Sequence, residues 1–312
     1  MPHDRKFRFG IQTARAKSRQ EWVERARKAE DLGYSSLFVP DHFDDQLAPL
    51  PAMMAAAEAT TTLRVGSLVF DNDYKHPVVL HKEAATMDLL SDGRLELGIG
   101  AGWMRSDYDQ AGMPFESPGV RIERLKESLA ILKGLFGDGP VTHNGKHYTI
   151  TGLEGTPKPV QKPHPPILVG GGGLRMMGVA AREADIVGIN FTLPNGVVDR
   201  VAMESGGADA TKQKIEWLRR AAGERFGELE LNITIFAPIV TDDRKAMAER
   251  IGAGGGMGVE DTLAVPHFLI GTVDQIADDL RQRREEYGFS YIVISRDAYE
   301  PLEPVVNKLA GT

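Results

Sequence analysis

The amino-acid sequence predicts an α/β fold, a single (β/α)8 TIM barrel with insertion segments. Short β-branched or apolar runs alternate with amphipathic stretches along the whole chain, which is typical of parallel β/α units. Eight such units are counted, and no segment rich in proline, serine or charge divides the 312 residues into halves. We therefore predict one domain over residues 1–312. The rival, an open doubly wound sheet, would not require eight regular units.

The first half of the chain supplies four predicted strands and their helices. The first helix begins at Ser18, which has the spacing of a capping box to Glu21, and ends before Gly33. The second helix is apolar nearly all round and should be buried, and the third begins at Pro77. The predicted strands are 7–12, 36–39, 63–70 and 95–100, and the helices are 18–32, 49–59, 77–90 and 121–136.

The second half continues the pattern after an insertion at 137–165. Asn144-Gly145, flanked by β formers, predicts a hairpin with a type I′ turn inside this insertion. The remaining predicted strands are 167–169, 185–189, 231–240 and 291–294, and the helices are 174–182, 209–225, 243–251, 273–287 and 302–309. The glycine-rich stretch 252–258 is predicted to be a mobile loop.

Composition and charge exclude several classes of function. The 37 basic and 44 acidic residues give a net charge of -7, which makes nucleic acid a poor partner. The chain has no cysteine, and its histidines and carboxylates form no ligand pattern, so we predict no metal site. It shows neither a signal peptide nor an apolar run that could span a membrane. We expect a cytoplasmic protein that binds a small-molecule substrate.

Functional side chains of a (β/α)8 barrel lie on the loops that follow the strands. His42 is the histidine best placed for proton transfer at neutral pH, with a structural hydrogen bond as the open alternative. The turn at 170–173 precedes a helix N-terminus, so it either binds an anion such as phosphate or is only a tight turn. The loop candidates are Gln12, Asp41, His42, Asp71, Asn72, Tyr74, Ala101, Gly102, Trp103, Gly170, Gly171, Gly172, Gly173, Leu174, Arg175, Asn190, Ser295 and Arg296.

The glycines at 98–102 follow the fourth predicted strand. They do not form a dinucleotide-binding fingerprint, because Trp103 stands where that pattern requires a third glycine. Small side chains at this place would instead leave room for a flat ring against the backbone.

Six segments in barrel order carry a family resemblance. They are Phe-Gly-Ile-Gln at 9–12, Leu-Phe-Val-Pro-Asp-His-Phe at 37–43, Ser-Asp-Gly-Arg at 91–94, Leu-Glu-Leu-Gly-Ile-Gly-Ala-Gly-Trp at 95–103, the glycines at 170–173 and Ala-Asp-Ile-Val-Gly-Ile-Asn at 184–190. Together they resemble the luciferase-like monooxygenase superfamily, in particular its coenzyme F420-dependent oxidoreductases. The resemblance covers essentially the whole chain.

The resemblance implies a homodimer that binds FMN or the deazaflavin coenzyme F420 at the carboxyl ends of the barrel strands, with the phosphate at 171–175. It also implies a β-bulge, often with a non-prolyl cis peptide, in the third strand behind the cofactor ring. The implied cofactor-binding residues are Gln12, Ser67, Leu68, Val69, Phe70, Asp71, Asn72, Gly100, Ala101, Gly102, Gly170, Gly171, Gly172, Gly173, Leu174 and Arg175.

The choice of cofactor depends on the loops after the third and fourth strands. Luciferase itself holds the FMN phosphate with an arginine where this chain has Ala101, and the loops at 72–77 and 100–108 are more similar to the F420 branch. Trp103 replaces a catalytic glutamate of the F420-dependent glucose-6-phosphate dehydrogenases, which argues against a sugar phosphate as substrate.

The resemblance implies hydride transfer between F420 and a small organic substrate. His42 would donate or accept the proton and Asp41 would orient it, while Trp103 and Tyr74 would shape the pocket. One alternative is an FMN-dependent monooxygenase that uses reduced flavin and oxygen, and another is a barrel that only binds a cofactor.

Overall fold

The computed structural model describes residues 5–295 and 298–312, and within them it contains thirteen strands and twelve α-helices. The strands are β1 (Arg8–Gln12), β2 (Ser36–Val39), β3 (Arg64–Ser67), β4 (Phe70–Asp71), β5 (Leu95–Gly100), β6 (Pro140–Asn144), β7 (Thr149–Glu154), β8 (Ile167–Gly171), β9 (Ile186–Ile189), β10 (Glu230–Ile235), β11 (Ala237–Val240), β12 (Phe268–Gly271) and β13 (Phe289–Ser295). The helices are α1 (Arg19–Asp31), α2 (Pro49–Ala59), α3 (Pro77–Leu90), α4 (Arg105–Ala111), α5 (Pro118–Phe136), α6 (Leu174–Glu183), α7 (Arg200–Glu204), α8 (Ala208–Ala222), α9 (Arg244–Gly255), α10 (Val259–Ala264), α11 (Val273–Tyr287) and α12 (Glu303–Leu309).

Parallel strands close into a barrel with the helices outside it. Their spatial order is β3-β2-β1-β13-β10-β9-β8-β5, and a further parallel pairing between β3 and β5 closes the ring. The short strand β4 continues the third barrel position along β5. This arrangement confirms the predicted (β/α)8 barrel. None of the helices within the described residues is long and apolar enough to cross a membrane.

The third barrel strand is interrupted. The predicted strand 63–70 is observed as β3 and β4, separated by a cis peptide bond between Leu68 and Val69. The bulge and the non-prolyl cis peptide that the family resemblance implies are therefore confirmed.

The protein buries two apolar layers, one on each face of the barrel wall. Between the wall and the helices lies the larger cluster, to which β1 contributes Phe9 and Ile11. Inside the barrel a smaller cluster includes Phe38, Tyr291 and Val293. Because successive strand residues point to opposite faces, Gly10 and Gln12 face the interior while Phe9 and Ile11 face the helices.

The loops and ends differ from the sequence prediction in several places, and α7, α10 and β12 were not predicted. The predicted strand 231–240 is wrong, since β10 ends at Ile235 and β11 leaves the barrel to pair with β12. The predicted loop 252–258 is helical through Gly255, and α4 was not predicted at all.

The hairpin β6–β7 is present, but Gly145 N–H donates to the Tyr148 carbonyl across a four-residue turn, so the predicted type I′ turn is wrong. The Glu127 carboxylate accepts three backbone N–H bonds from this turn and so fixes the wider loop.

Candidate active site

The predicted site residues lie mainly at the carboxyl ends of the barrel strands and on the loops and helix termini that follow them. Gln12 ends β1, Asp41 and His42 follow β2, and Asp71 ends β4. The loop 101–104 follows β5. Gly170 and Gly171, predicted as part of a turn, end β8, and Gly172 and Gly173 join it to α6. Ser295 ends β13, whereas Arg296 lies outside the described residues.

His42 is paired with a carboxylate that the sequence analysis did not single out. The Oδ2 atom of Asp107, on α4, lies 2.8 Å from His42 Nδ1 and accepts a second hydrogen bond from the Tyr74 hydroxyl at 3.2 Å. A carboxylate can only accept, so the proton is on Nδ1, and Nε2 is the nitrogen that can exchange a proton with a ligand. Asp107 is buried, while His42 is partly exposed.

The expected pairing of His42 with Asp41 is wrong. The Asp41 Oδ2 atom instead accepts the backbone N–H of Asp71 at 3.2 Å. Burial raises the pKa of Asp41. Neighbours along a strand-to-helix loop point in different directions, so adjacency in sequence does not bring two side chains into contact.

Aromatic rings form one wall beside His42. Trp103 meets the imidazole edge-on, with ring centres 5.5 Å apart, and Phe43 stacks on Tyr74 at 4.5 Å. Phe43 is 51% exposed, so this wall is open to solvent. Burial and the nearby carboxylates of Asp71 and Asp107 raise the pKa of Tyr74, so its hydroxyl remains a hydrogen-bond donor.

The interrupted third strand projects into the barrel interior. Gln12 Nε2 donates to the Leu68 carbonyl at 2.7 Å, and Ser67 Oγ donates to the Gly98 carbonyl at 2.6 Å. A Cβ on Gly98 would lie 1.9 Å from the Ser67 carbonyl oxygen, and one on Gly100 would lie 2.8 Å from a methyl carbon of Val69. These glycines make room for the chain's own bulge, and Val69 packs directly against them.

Asp71 and Asn72 face the protein interior. The Tyr108 hydroxyl lies 2.8 and 3.0 Å from the two Asp71 carboxyl oxygens. A Cβ on Gly102, whose φ is +75°, would lie 2.0 Å from that hydroxyl, so glycine is required here. Burial raises the pKa of Asp71 to about 7. Asn72 is also buried and donates from Nδ2 to the Tyr148 hydroxyl at 3.4 Å.

The N-terminus of α6 has the form of an anion site. Gly173 is its N-cap and makes no side-chain capping bond, while Leu174 and Arg175 are exposed. The first N–H groups of a helix have no partner within the helix and attract anions. A Cβ on Gly172 would lie 2.3 Å from the Asn190 carbonyl oxygen, and one on Gly119, near the start of α5, would lie 3.0 Å from Arg175 Nη1. Arg175 therefore adds positive charge between two helix N-termini.

Two buried cations that the sequence analysis missed hold the loops around the site. Arg121 donates to the carbonyls of Ala101 at 3.1 Å and Gly102 at 3.4 Å. Lys214 donates to the carbonyls of Asn190 and Ser205, which bracket the loop after β9. Arg121 lies on α5 and Lys214 on α8, each at a position that faces inward by helical periodicity. That periodicity is the only sequence signal that could have identified them as buried.

Comparison with known proteins places this geometry in a family. A family model described as luciferase-like monooxygenase matches residues 6–253. The chain is 30% identical over 174 residues to an F420-dependent glucose-6-phosphate dehydrogenase of Amycolatopsis mediterranei, covering 53% of this chain and 52% of that protein. It is 29% identical over 216 residues to the oxygenase component of a flavin-dependent trigonelline monooxygenase of Acinetobacter baylyi, covering 67% of this chain and 55% of that protein.

A solved structure extends the likeness to the whole fold. The coenzyme F420-dependent tetrahydromethanopterin reductase of Methanopyrus kandleri superposes with a TM-score of 0.77 at 17% identity, covering 98% of this chain and 99% of that one. At this identity the likeness shows the fold alone, whereas the family model matches most of the chain in sequence. The chain belongs to the luciferase-like monooxygenase family.

Proposed function

We propose that this protein is an F420-dependent oxidoreductase that transfers a hydride between the deazaflavin and a small organic substrate. The observation that carries the proposal is the hydrogen bond between His42 and the buried Asp107 carboxylate. Hydride transfer to a carbonyl carbon, or from the carbon of the corresponding alcohol, must be matched by transfer of one proton, and a histidine held by a carboxylate suits that task. Two observations support the deazaflavin over FMN. One relative is F420-dependent, and Ala101 stands where luciferase has the arginine that holds the FMN phosphate.

The residues present fit a flat cofactor with a phosphate-bearing tail. Val69 and Gly100 would lie under the ring, and the N-terminus of α6 with Arg175 would hold the phosphate. When bound, F420 supplies two-electron hydride chemistry at its C5 atom. The first turn of α6, whose N-cap Gly173 makes no side-chain capping bond, is the observation that favours a bound anion here.

The protein's own residues handle the proton and the substrate. In the direction of oxidation, His42 Nε2 takes the hydroxyl proton of an alcohol, and Asp107 stabilises the imidazolium that forms. In the reverse direction the same nitrogen returns the proton to the carbonyl oxygen. Trp103 and Tyr74 wall the substrate on the His42 side, and Tyr74 keeps Asp107 in place through its hydroxyl.

Binding measurements test the choice of cofactor. We expect F420 fluorescence to be quenched saturably by the purified protein, and FMN to bind more weakly. Arg175→Ala should weaken F420 binding by roughly tenfold, because a charge-assisted phosphate contact is lost. Arg182→Ala, at the other end of α6, is the matched control and should bind as the wild type does. Tight FMN binding without F420 binding would overturn the proposal.

The FMN-dependent monooxygenase is the second candidate, and the match to the trigonelline monooxygenase favours it. Oxygen consumption with reduced FMN and a panel of heterocyclic and aliphatic compounds discriminates the two. The F420-dependent function predicts no oxygen uptake. We also propose that the protein acts as a homodimer, which light scattering of the purified protein would test.

A further inference from the structure

A single phenol hydroxyl stands between two carboxyl groups beside the proposed site. The Tyr108 hydroxyl lies 2.8 Å from the nearer Asp71 oxygen and 3.1 Å from Asp73 Oδ2, and its ring is fully buried. A phenol has one proton to donate, whereas ionised carboxylates have none. If both carboxyls were ionised, one of these short contacts would join two oxygen atoms with no hydrogen between them. A second proton in the group would place a hydrogen in both contacts.

The proton belongs to Asp71 rather than to Asp73. Asp73 Oδ1 forms a 2.7 Å ion pair with Arg124, which favours its anionic form. Within residues 5–295 and 298–312 no such cation pairs with Asp71, whose carboxyl accepts only the Asp73 backbone N–H and contacts Tyr108. Protonated Asp71 can then donate to the Tyr108 oxygen while Tyr108 donates to Asp73.

The charged groups around Asp71 favour its protonated form. Burial, together with the carboxylates of Asp73 and Asp41, raises the pKa of Asp71 to about 7, although the hydrogen bonds from the Asp73 backbone N–H and the Tyr108 hydroxyl act to lower it. Tyr74 also faces Asp71. Of the nearby cations, Lys75 acts on Asp41 and Arg124 on Asp73. An ionised Asp71 would add a negative charge to this group.

Tyr108, whose hydroxyl oxygen would accept the hydrogen bond from Asp71, is next in sequence to Asp107, the residue that holds His42. Tyr108 and Asp107 are consecutive in α4, so the contacts of Tyr108 fix the turn from which Asp107 reaches His42 and Tyr74. We propose that Asp71 is a protonated carboxylic acid in the folded enzyme at mildly acidic pH and, through Tyr108, positions α4 so that Asp107 orients His42. The consequence for His42 rests on the proposed function, whereas the protonated carboxyl does not.

Infrared spectroscopy of the cofactor-free protein tests the proton directly. With aspartate labelled by ¹³C at the side-chain carboxyl, we expect a carboxylic-acid C=O band at pH 6 that disappears as the pH is raised to about 8. Asp71→Asn should abolish the band. Asp109→Asn, on the exposed side of α4, is the matched control and should keep it. A wild-type spectrum without the band, or a band lost in Asp73→Asn but kept in Asp71→Asn, would overturn the assignment.

Amide hydrogen exchange tests the positioning role. We compare the exchange rate of α4 in the wild type with that in Asp71→Asn, whose side chain stays neutral at every pH. The ratio should be close to one at pH 6 and rise severalfold at pH 8, because only the wild type gains a charge. A purely structural role predicts a ratio that does not change with pH, and that result would overturn the positioning role. Neither measurement uses a cofactor, so failure here and failure of the F420 assignment are separate outcomes.

Discussion

The candidate proton-transfer residue could be identified from sequence, but its partner could not. His42 stands out because it lies on the loop after a barrel strand and is a histidine, a residue type suited to proton transfer. The family resemblance implies its neighbour Asp41 as the orienting partner, whereas the structure brings in Asp107, which is 65 positions away. The available signal was an acidic residue in the first turn of an unpredicted helix after the fourth barrel strand. Only tertiary structure shows that this turn faces His42.

Asp107→Asn tests whether Asp107 orients the imidazole. The amide can donate to His42 Nδ1, so we expect the proton to move to Nε2 and kcat/KM to fall roughly 10²–10⁴-fold, the range typical of a lost acid–base group. The ¹⁵N shifts of the imidazole report the tautomer without any substrate. Asp109→Asn, which changes only an exposed ion pair with Arg105, should leave both quantities unchanged. Unaltered ¹⁵N shifts in Asp107→Asn would contradict the pairing.

Most elements were predicted because their patterns are local. The bounds of β2, α2, α3, β5 and α11 agree with the prediction, because the signals that set them are close in sequence. Prolines begin α2 and α3, and the N-cap Thr272 directly precedes α11. The break of the third barrel strand, by contrast, depends on residues that are distant in sequence. Its bulge is accommodated by glycines on β5, some thirty residues later, and was expected here only from the family resemblance. The end of β10 was missed because the apolar run continues unbroken into β11.

Gly98→Ala tests whether the glycines of β5 are required by the bulge of the third strand. The added methyl would lie 1.9 Å from the Ser67 carbonyl oxygen, which is backbone and cannot rotate away. We expect a loss of at least about 3 kcal/mol in the free energy of unfolding, the upper end for overpacking a core. Gly227→Ala is the control, because nothing lies within 4 Å of its Cβ. Equal urea midpoints for the two variants would contradict this role.

At the scale of the whole molecule, the amino-terminal end of the barrel is joined by a polar group that the sequence does not reveal. Glu96 on β5 is fully buried and accepts from Arg64 on β3 at 2.7 Å, from the Tyr291 hydroxyl on β13 at 2.9 Å, and from Arg8 on β1. Arg8 also pairs with Glu230 on β10. Charged residues at strand starts are ordinarily exposed, so only the closed ring shows that these meet.

Glu96→Gln tests how much this group stabilises the closed barrel. Burial alone would raise the pKa of Glu96, but Arg8 and Arg64 outweigh it and hold the pKa below its ordinary value. Its stabilising contribution is therefore fully present above the unfolded-state pKa of about 4.5 and is lost as the pH falls through the lower folded-state value. At pH 7 we expect urea unfolding to show a loss of about 3–5 kcal/mol, since two cations would remain without their buried partner. Asp44→Asn, which removes an exposed ion pair with Arg15, should change stability by no more than about 0.5 kcal/mol. If the free energy of unfolding of Glu96→Gln differs from that of the wild type by the same amount at pH 7 and at pH 3, the charge of Glu96 is not what stabilises the barrel.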